Sequence, residues 1–280
     1  MKIISSLSEF LVWRESVSSS AEIGFVPTMG ALHDGHAALV ERSLNDADIT
    51  VVSIFVNPKQ FGENEDFNSY PRTIEKDCDL LRSKGVDILF VPKYEDIYSV
   101  DIKSFAFDDL FSKQLEGKSR PDLFPGVINV VSRLFNIVRP SLSFFGKKDA
   151  QQLILINKMV NAGDFPIKIV PVETIREPSG LAMSSRNIYL SKTQKISASK
   201  IYNSLLFAES LLSRGEKEAK IIKNQIKKSL STDSTISIDY ISIVCLKDLR
   251  EVSGAVCAPV LISIAVYIGG VRLIDNIFYE

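Results

Sequence analysis

Three early segments of the chain are mainly apolar, rich in β-branched residues and without alternation: "IGFVPT" (Ile23–Thr28), "ITVVSIFVN" (49–57) and "DILFVP" (87–92). A strand buried on one face alternates apolar with polar residues, whereas one buried on both faces does not. Helical stripes lie between these runs. Leu39 or Val40, Leu44 and Ala47 mark a helix opening just after Gly35. Ile74, Cys78 and Leu81 mark another, which Gly85 ends as a cap. The pattern then recurs. A stripe through Val127, Val130, Val131, Leu134 and Val138 stops at Pro140, "LSFFG" reads as a strand, 149–160 as a helix and "IKIVPV" (167–172) as the next strand. Alternating strand and helix of this kind constrain the chain to an α/β fold with a doubly wound parallel sheet. Such sheets bind ligands beyond the carboxyl ends of their strands.

After Glu173 the character changes. A polar, Ser-rich loop leads to two helical stretches, "KISASKIYNSLLFAESLLSR" and "EKEAKIIKNQIKKSL". Then come "SIDYISIVC", "PVLISIAVYIG" and "VRLIDNIF", which read as a small antiparallel sheet. Helices followed by strands predict a second, smaller α+β domain. The expected division is 1–174 and 175–280.

With 33 basic and 34 acidic residues in 280, the formal charge is -1. No global basic field exists to attract nucleic acid or anionic membrane, so a small anion would have to be held by local cations. The three cysteines (Cys78, Cys245, Cys257) are odd in number and never in a CxxC pair, which points to a reducing, cytoplasmic setting without a zinc site. The most apolar run, Val260 to Val271, is too short to span a bilayer.

Both histidines of the chain lie in "PTMGALHDGH". Here the first of the three strands ends at Thr28, Gly30 permits a tight turn and a helix begins. Backbone N–H groups at such a junction face an anion, and the helix dipole adds attraction. His33 and His36, protonated or donating N–H, can bind phosphate oxygens there; the alternative is a pair of structural histidines capping the turn. "FFGKKDAQQL" repeats the strand-glycine-helix passage, with Lys147, Lys148 and Asp149 at the junction. Lysine is a mobile point charge suited to polyphosphate, while Asp149 is either a ribose ligand or simply the helix N-cap. One of Gln151 and Gln152 should face the pocket. "GLAMSSRN" offers two hydroxyls and a guanidinium that could close on phosphates as a flexible lid, and "FVNPKQF" offers Asn57 and Gln60. No GxxxxGK[ST] or GxSxG element occurs, and two histidines make no persuasive hydrolase triad.

Together, "PTMGALHDGH", "SIFVNPKQFG", "VVSRLFNIVRP", "FFGKKDAQQL", "GLAMSSRN" and "RLIDN" resemble, in order along nearly the whole chain, the pantothenate synthetase family. That family belongs to the nucleotidyltransferases marked by a His-x-x-His or His-x-Gly-His element. The resemblance implies a Rossmann-like first domain and a ligase that condenses pantoate with β-alanine. ATP is consumed through a pantoyl adenylate, with AMP and pyrophosphate released. It implies ATP contacts from Met29, Gly30, His33, His36, Gly146, Lys148, Asp149, Ile175, Met183, Ser184, Ser185 and Arg186. His33, His36, Lys148, Ser184, Ser185 and Arg186 are implied as the catalytic set. Gln60, Gln152 and Asn57 are implied to bind pantoate or β-alanine, Mg²⁺ to travel with the ATP phosphates, and the protein to be a homodimer. The chain departs from the family at "RPDLFPG", where Leu123 stands in place of a histidine assigned to a lid over residues 120–127. Two other readings stay open from the residues alone: a nucleotidyltransferase releasing a free conjugate, and a nucleotide-binding sensor that kept the fold.

Overall fold

The structure, a computed structural model, describes residues 1–63, 65–98, 101–105 and 110–280. It divides into two compact units, Met1–Glu173 and Thr174–Glu280.

The first unit opens with an edge strand and a helix that the hydrophobic pattern did not announce, β1 (Lys2–Ile4) and α1 (Leu7–Ser16). Three residues are too few for a readable strand, and α1 buries only Leu7 and Phe10. Next come β2 (Ile23–Thr28), α2 (Asp34–Asp46), β3 (Ile49–Ile54), α3 (Ile74–Lys84), β4 (Ile88–Phe90) and the short α4 (Tyr94–Tyr98). The remainder is α5 (Glu116–Ser119), α6 (Leu123–Val138), β5 (Leu142–Gly146), α7 (Ala150–Ala162) and β6 (Lys168–Val172). The six strands form one sheet in the order β1-β4-β3-β2-β5-β6, and every neighbouring pair is parallel.

Alternate residues of the central strands enter opposite cores, as the pleat dictates. Phe25, Val51 and Phe145 join the core under α1, α6 and α7. Val26, Val52 and Phe144 join the core under α2 and α3. That double burial is why these strands read as continuous apolar runs. From β2 the chain winds outward through β3 to β4, then returns to lay β5 against the other edge of β2. The winding therefore reverses between β2 and β5, and the crevice at such a reversal is where open α/β sheets bind ligands.

The second unit holds α8 (Lys192–Ser213), α9 (Ala219–Leu230) and an antiparallel sheet of β7 (Ile236–Cys245), β8 (Val260–Ile268) and β9 (Val271–Tyr279). Central β8 is buried at all but one position, so the most apolar run of the sequence is a strand between two others. Its core includes Ile201, Leu205, Ile222 and Ile226 from the helices and Ile262, Ile264 and Val266 from the sheet. No helix among the described residues is long and apolar enough to cross a membrane.

Candidate active site

Three adjacent strands deliver the site. After β2 the backbone turns at Gly30 and Ala31, both left-handed at φ 79° and 51°. Glycine takes that conformation freely; alanine does so only when the surroundings impose it. Here Asp77 of α3 imposes it. Its carboxylate, 2% exposed, accepts the N–H groups of Ala31 and Leu32, each at 2.9 Å, and the Thr73 hydroxyl at 3.0 Å. Thr28 Oγ1 closes the other side of the turn, accepting from Gly30 N at 3.1 Å.

The turn feeds α2, whose N-cap is His33, two residues earlier than the apolar stripe implied. His33 Nδ1 accepts from Gly35 N at 3.1 Å, and His36 Nδ1 accepts from His33 N at 3.3 Å. The rings lie 4.1 Å apart. A backbone N–H has no alternative proton arrangement, so both Nδ1 atoms are bare and each neutral ring carries its proton on Nε2. Capping thus occupies only Nδ1 of each imidazole and leaves Nε2–H to point elsewhere, so the capping reading does not exclude the ligand-binding one. The cationic reading fails. Burial, followed by the Lys148 charge, lowers His33 to about 4. Burial, followed by His33 and Lys148, lowers His36 to about 3. Near neutral pH both are N–H donors without charge.

The positive charge comes from the end of β5. There Gly146 leads into a 3-10 turn, Lys147–Asp149, and then α7. Lys147 turns to Glu173 in an ion pair. Lys148 lies where its charge reaches both histidines, with Nζ 3.4 Å from Asp149. Asp149 occupies the N-cap position but makes no capping hydrogen bond, so the plain-cap reading does not account for it. Of the two glutamines, Gln151 is structural: it is 4% exposed, accepts from Glu116 N at 3.0 Å and donates to the carbonyls of Phe111 and Gln114. Gln152 is half-buried at the start of α7.

Beyond β3, Phe55–Asn57 leave the sheet, which shortens the strand relative to the run 49–57 and starts a 3-10 turn, Pro58–Gln60. Gln60 Nε2 lies 3.0 Å from the Met29 sulfur, which ties this turn to the one after β2. Asn57, 1% exposed, donates to Gln60 Oε1 at 3.1 Å and to Gly126 O at 3.2 Å. Its Oδ1 accepts from Lys59 N at 3.2 Å and from the Tyr98 hydroxyl at 2.8 Å. All of its hydrogen-bonding capacity is used internally. Asn57 therefore holds Gln60 in place, a role that the expectation of a substrate contact did not include.

Residues 120–127 form the entry to α6, with Leu123 as its first residue, half-buried and packed against the core. Arg120 makes a two-pronged ion pair with Glu65 at 2.7 and 2.5 Å. A Cβ on Gly126 would lie 2.2 Å from Lys59 O, so only glycine lets α6 approach the turn that carries Gln60.

In the second unit, Ile175 and Met183 close a small hairpin, Met183 N donating to Ile175 O at 2.9 Å. Ser184 caps the 3-10 turn Ser185–Tyr189, its Oγ accepting from Arg186 N at 3.3 Å. Asn187, 4% exposed, donates back to Ala182 O and to Glu177. The Ser184–Arg186 segment is thus tethered at several points, unlike the loose loop the composition implied.

Among the described residues, no group of three or more His, Cys, Asp or Glu side chains gathers as a metal site. Asp77 and Tyr98 escaped the sequence reading because each acts through another residue's backbone or amide, and neither belongs to a recognisable spacing. The one available signal for Asp77 was an acidic residue on the otherwise apolar face marked by Ile74, Cys78 and Leu81.

The family model described as Pantoate-beta-alanine ligase matches residues 2–278. A pantothenate synthetase of Thermosipho africanus is 46% identical over 277 residues, covering 99% of each protein. The crystal structure of pantothenate synthetase from Thermus thermophilus superposes with a TM-score of 0.92 at 38% identity, covering 99% of both chains. A pantoate-beta-alanine ligase from Francisella tularensis, solved with beta-gamma ATP and beta-alanine, gives 0.80 at 35% identity, covering 99% of this chain and 97% of that one. With a family match over residues 2–278 and the same fold in solved relatives, this chain belongs to the pantoate–β-alanine ligase family.

Proposed function

We propose that the chain joins pantoate to β-alanine in two displacements at the crevice between β2 and β5. A carboxylate oxygen of pantoate attacks the α-phosphorus of ATP, forming the pantoyl adenylate and expelling pyrophosphate. The β-alanine amine then attacks the acyl carbon, loses a proton and expels AMP, which departs with that carboxylate oxygen. The observation that carries this reading is the pair of Nε2–H donors beside Lys148 at the reversal of the sheet. Charge on the phosphoryl oxygens rises toward the first transition state, and fixed donors stabilise what develops there. Pyrophosphate leaves as an anion and needs no proton, so imidazoles lowered to about 4 and about 3 serve as donors without acting as acids.

In this reading the backbone at Met29 and Gly30, with His33 and His36, takes the phosphates, and Lys148 supplies the point charge. Gly146 and Asp149 take the ribose, and the main chain at Ile175 takes adenine. Met183, Ser184, Ser185 and Arg186 cover the phosphates. Gln60 and Gln152 hold pantoate, with Asn57 acting through Gln60. In the same reading 1–174 is the nucleotide- and pantoate-binding domain and 175–280 the smaller lid domain. Mg²⁺ rides on the ATP phosphates and supplies further charge neutralisation, in keeping with its preference for few protein ligands. A homodimer and a cytoplasmic setting complete the proposal; three free cysteines support the latter.

Two substitutions test the assignment. Gln152→Ala should raise the KM for pantoate far more than that for ATP, because an unpaired amide partner harms only the ligand it contacts. His36→Ala should lower kcat by about 100-fold or more while pantoate binding changes little. Equal effects of Gln152→Ala on both substrates, or near-normal turnover in His36→Ala, would count against these roles.

A further inference from the structure

The "RLIDN" stretch near the carboxyl end has no role in the chemistry above, yet its aspartate is almost completely buried. Asp275 lies on β9 with its side chain 3% exposed. It receives the Arg176 guanidinium as a two-pronged pair, Nη1 at 2.6 Å and Nη2 at 3.0 Å, and accepts its neighbour's Asn276 N at 2.8 Å. Arg176 sits in the hairpin that Ile175 and Met183 close, bridged to Ala182 on the opposite arm. Its Nη1 also donates to Gly180 O at 3.1 Å, so the guanidinium spans the tip of its own hairpin. Its flat face rests 3.5 Å from the ring centre of Tyr202 on α8. The same ring lies 3.1 Å from where a Gly180 Cβ would be.

A buried ion pair is a poor source of stability, since removing both charges from water costs about as much as their attraction returns. What a guanidinium–carboxylate fork does supply is orientation, because two parallel bonds fix a plane. Arg176 is one residue from Ile175, and the arm it bridges runs through Ala182 directly into Met183, Ser184 and Arg186. We infer that Asp275, acting through the Arg176 fork, is a positioning residue that fixes the nucleotide-contacting backbone at 175 and 183–186. The inference rests on the nucleotide contacts proposed above for those residues.

The test is steady-state kinetics of Asp275→Asn and Arg176→Lys, each alone and combined with Arg186→Ala. Either substitution breaks the fork; Arg176→Lys keeps the charge and carries the test where Asp275→Asn folds poorly. The expected result is a rise of about tenfold in the KM for ATP, with the KM for pantoate within about twofold of the parent. Combined with Arg186→Ala, the losses should fall short of additive, since the fork has less to position once the guanidinium it aims is gone. Equal rises in both KM values, or full additivity with Arg186→Ala, would overturn the inference and leave the nucleotide reading intact. If Arg186→Ala alone leaves turnover and ATP KM unchanged, the nucleotide reading of that segment fails, and the inference fails with it.

Discussion

Asp77 and Ala31 are 46 residues apart, yet the carboxylate of one accepts the N–H of the other at 2.9 Å. With the matching bond to Leu32 and the Thr73 hydroxyl, this carboxylate sets the left-handed turn that delivers His33 and His36. Asp77→Ala should therefore leave two N–H groups without an acceptor and destabilise the protein by about 2 kcal/mol. It should also lower kcat, because the turn loses its shape. Denaturant unfolding and turnover check this together. Full stability with unchanged turnover would show that the turn holds its shape without Asp77.

The imidazoles give a second prediction. Unfolded histidine binds a proton below about pH 6.5, whereas folded His33 and His36 stay neutral down to about 4 and about 3. Between those limits the unfolded chain binds more protons, so this contribution is complete above about pH 6.5 and is lost as pH falls toward 4 and 3. Histidine ¹⁵N spectra should show both rings as Nε2–H tautomers with no titration from about pH 8 to about pH 5. The chain has only two histidines, so a single histidine substitution assigns both signals. A midpoint near 6.5 for either ring would contradict the capping geometry.

The Tyr98 hydroxyl donates to Asn57 at 2.8 Å, and Asn57 in turn donates to Gln60 at 3.1 Å. Tyr98→Phe removes the first link while keeping the ring, at a cost of about 1 kcal/mol. The expected readout is a rise of about fivefold in the KM for pantoate with the KM for ATP unchanged. A rise confined to ATP would misplace this network.

Gly126→Ala should be worse than its size suggests. The added Cβ would meet Lys59 O at 2.2 Å, backbone that cannot rotate away. A loss of about 2 kcal/mol in stability follows from overpacking, together with weaker pantoate binding as the Pro58–Gln60 turn shifts. Calorimetry and pantoate KM decide it, and normal values for both would mean α6 and the turn move apart freely.

The parallel core was legible because its strands are buried on both faces, which leaves continuous apolar runs such as Ile49–Ile54 that a half-exposed strand would not produce. The histidine and lysine turns were legible because a strand, a glycine and a helix start in succession leave a local mark. β1 and α1 left almost none, with three residues in one and two buried side chains in the other. Protonation of the histidines was not legible, since burial and the Lys148 charge are set by segments more than a hundred residues apart in sequence. The internal role of Asn57 was not legible for a similar reason: its partners Gly126 and Tyr98 come from α6 and α4, and spacing says nothing of them.

The central claim is that pantoate is activated by transfer of its own carboxylate oxygen to the α-phosphate. Pantoate labelled with ¹⁸O in its carboxylate, incubated with ATP, Mg²⁺, β-alanine and this protein, tests it directly by mass spectrometry of the nucleotide product. The account predicts AMP carrying one ¹⁸O per pantothenate formed, with unlabelled pyrophosphate. ADP as the product, with the label in inorganic phosphate, would place the attack at the γ-phosphate and contradict the adenylate route.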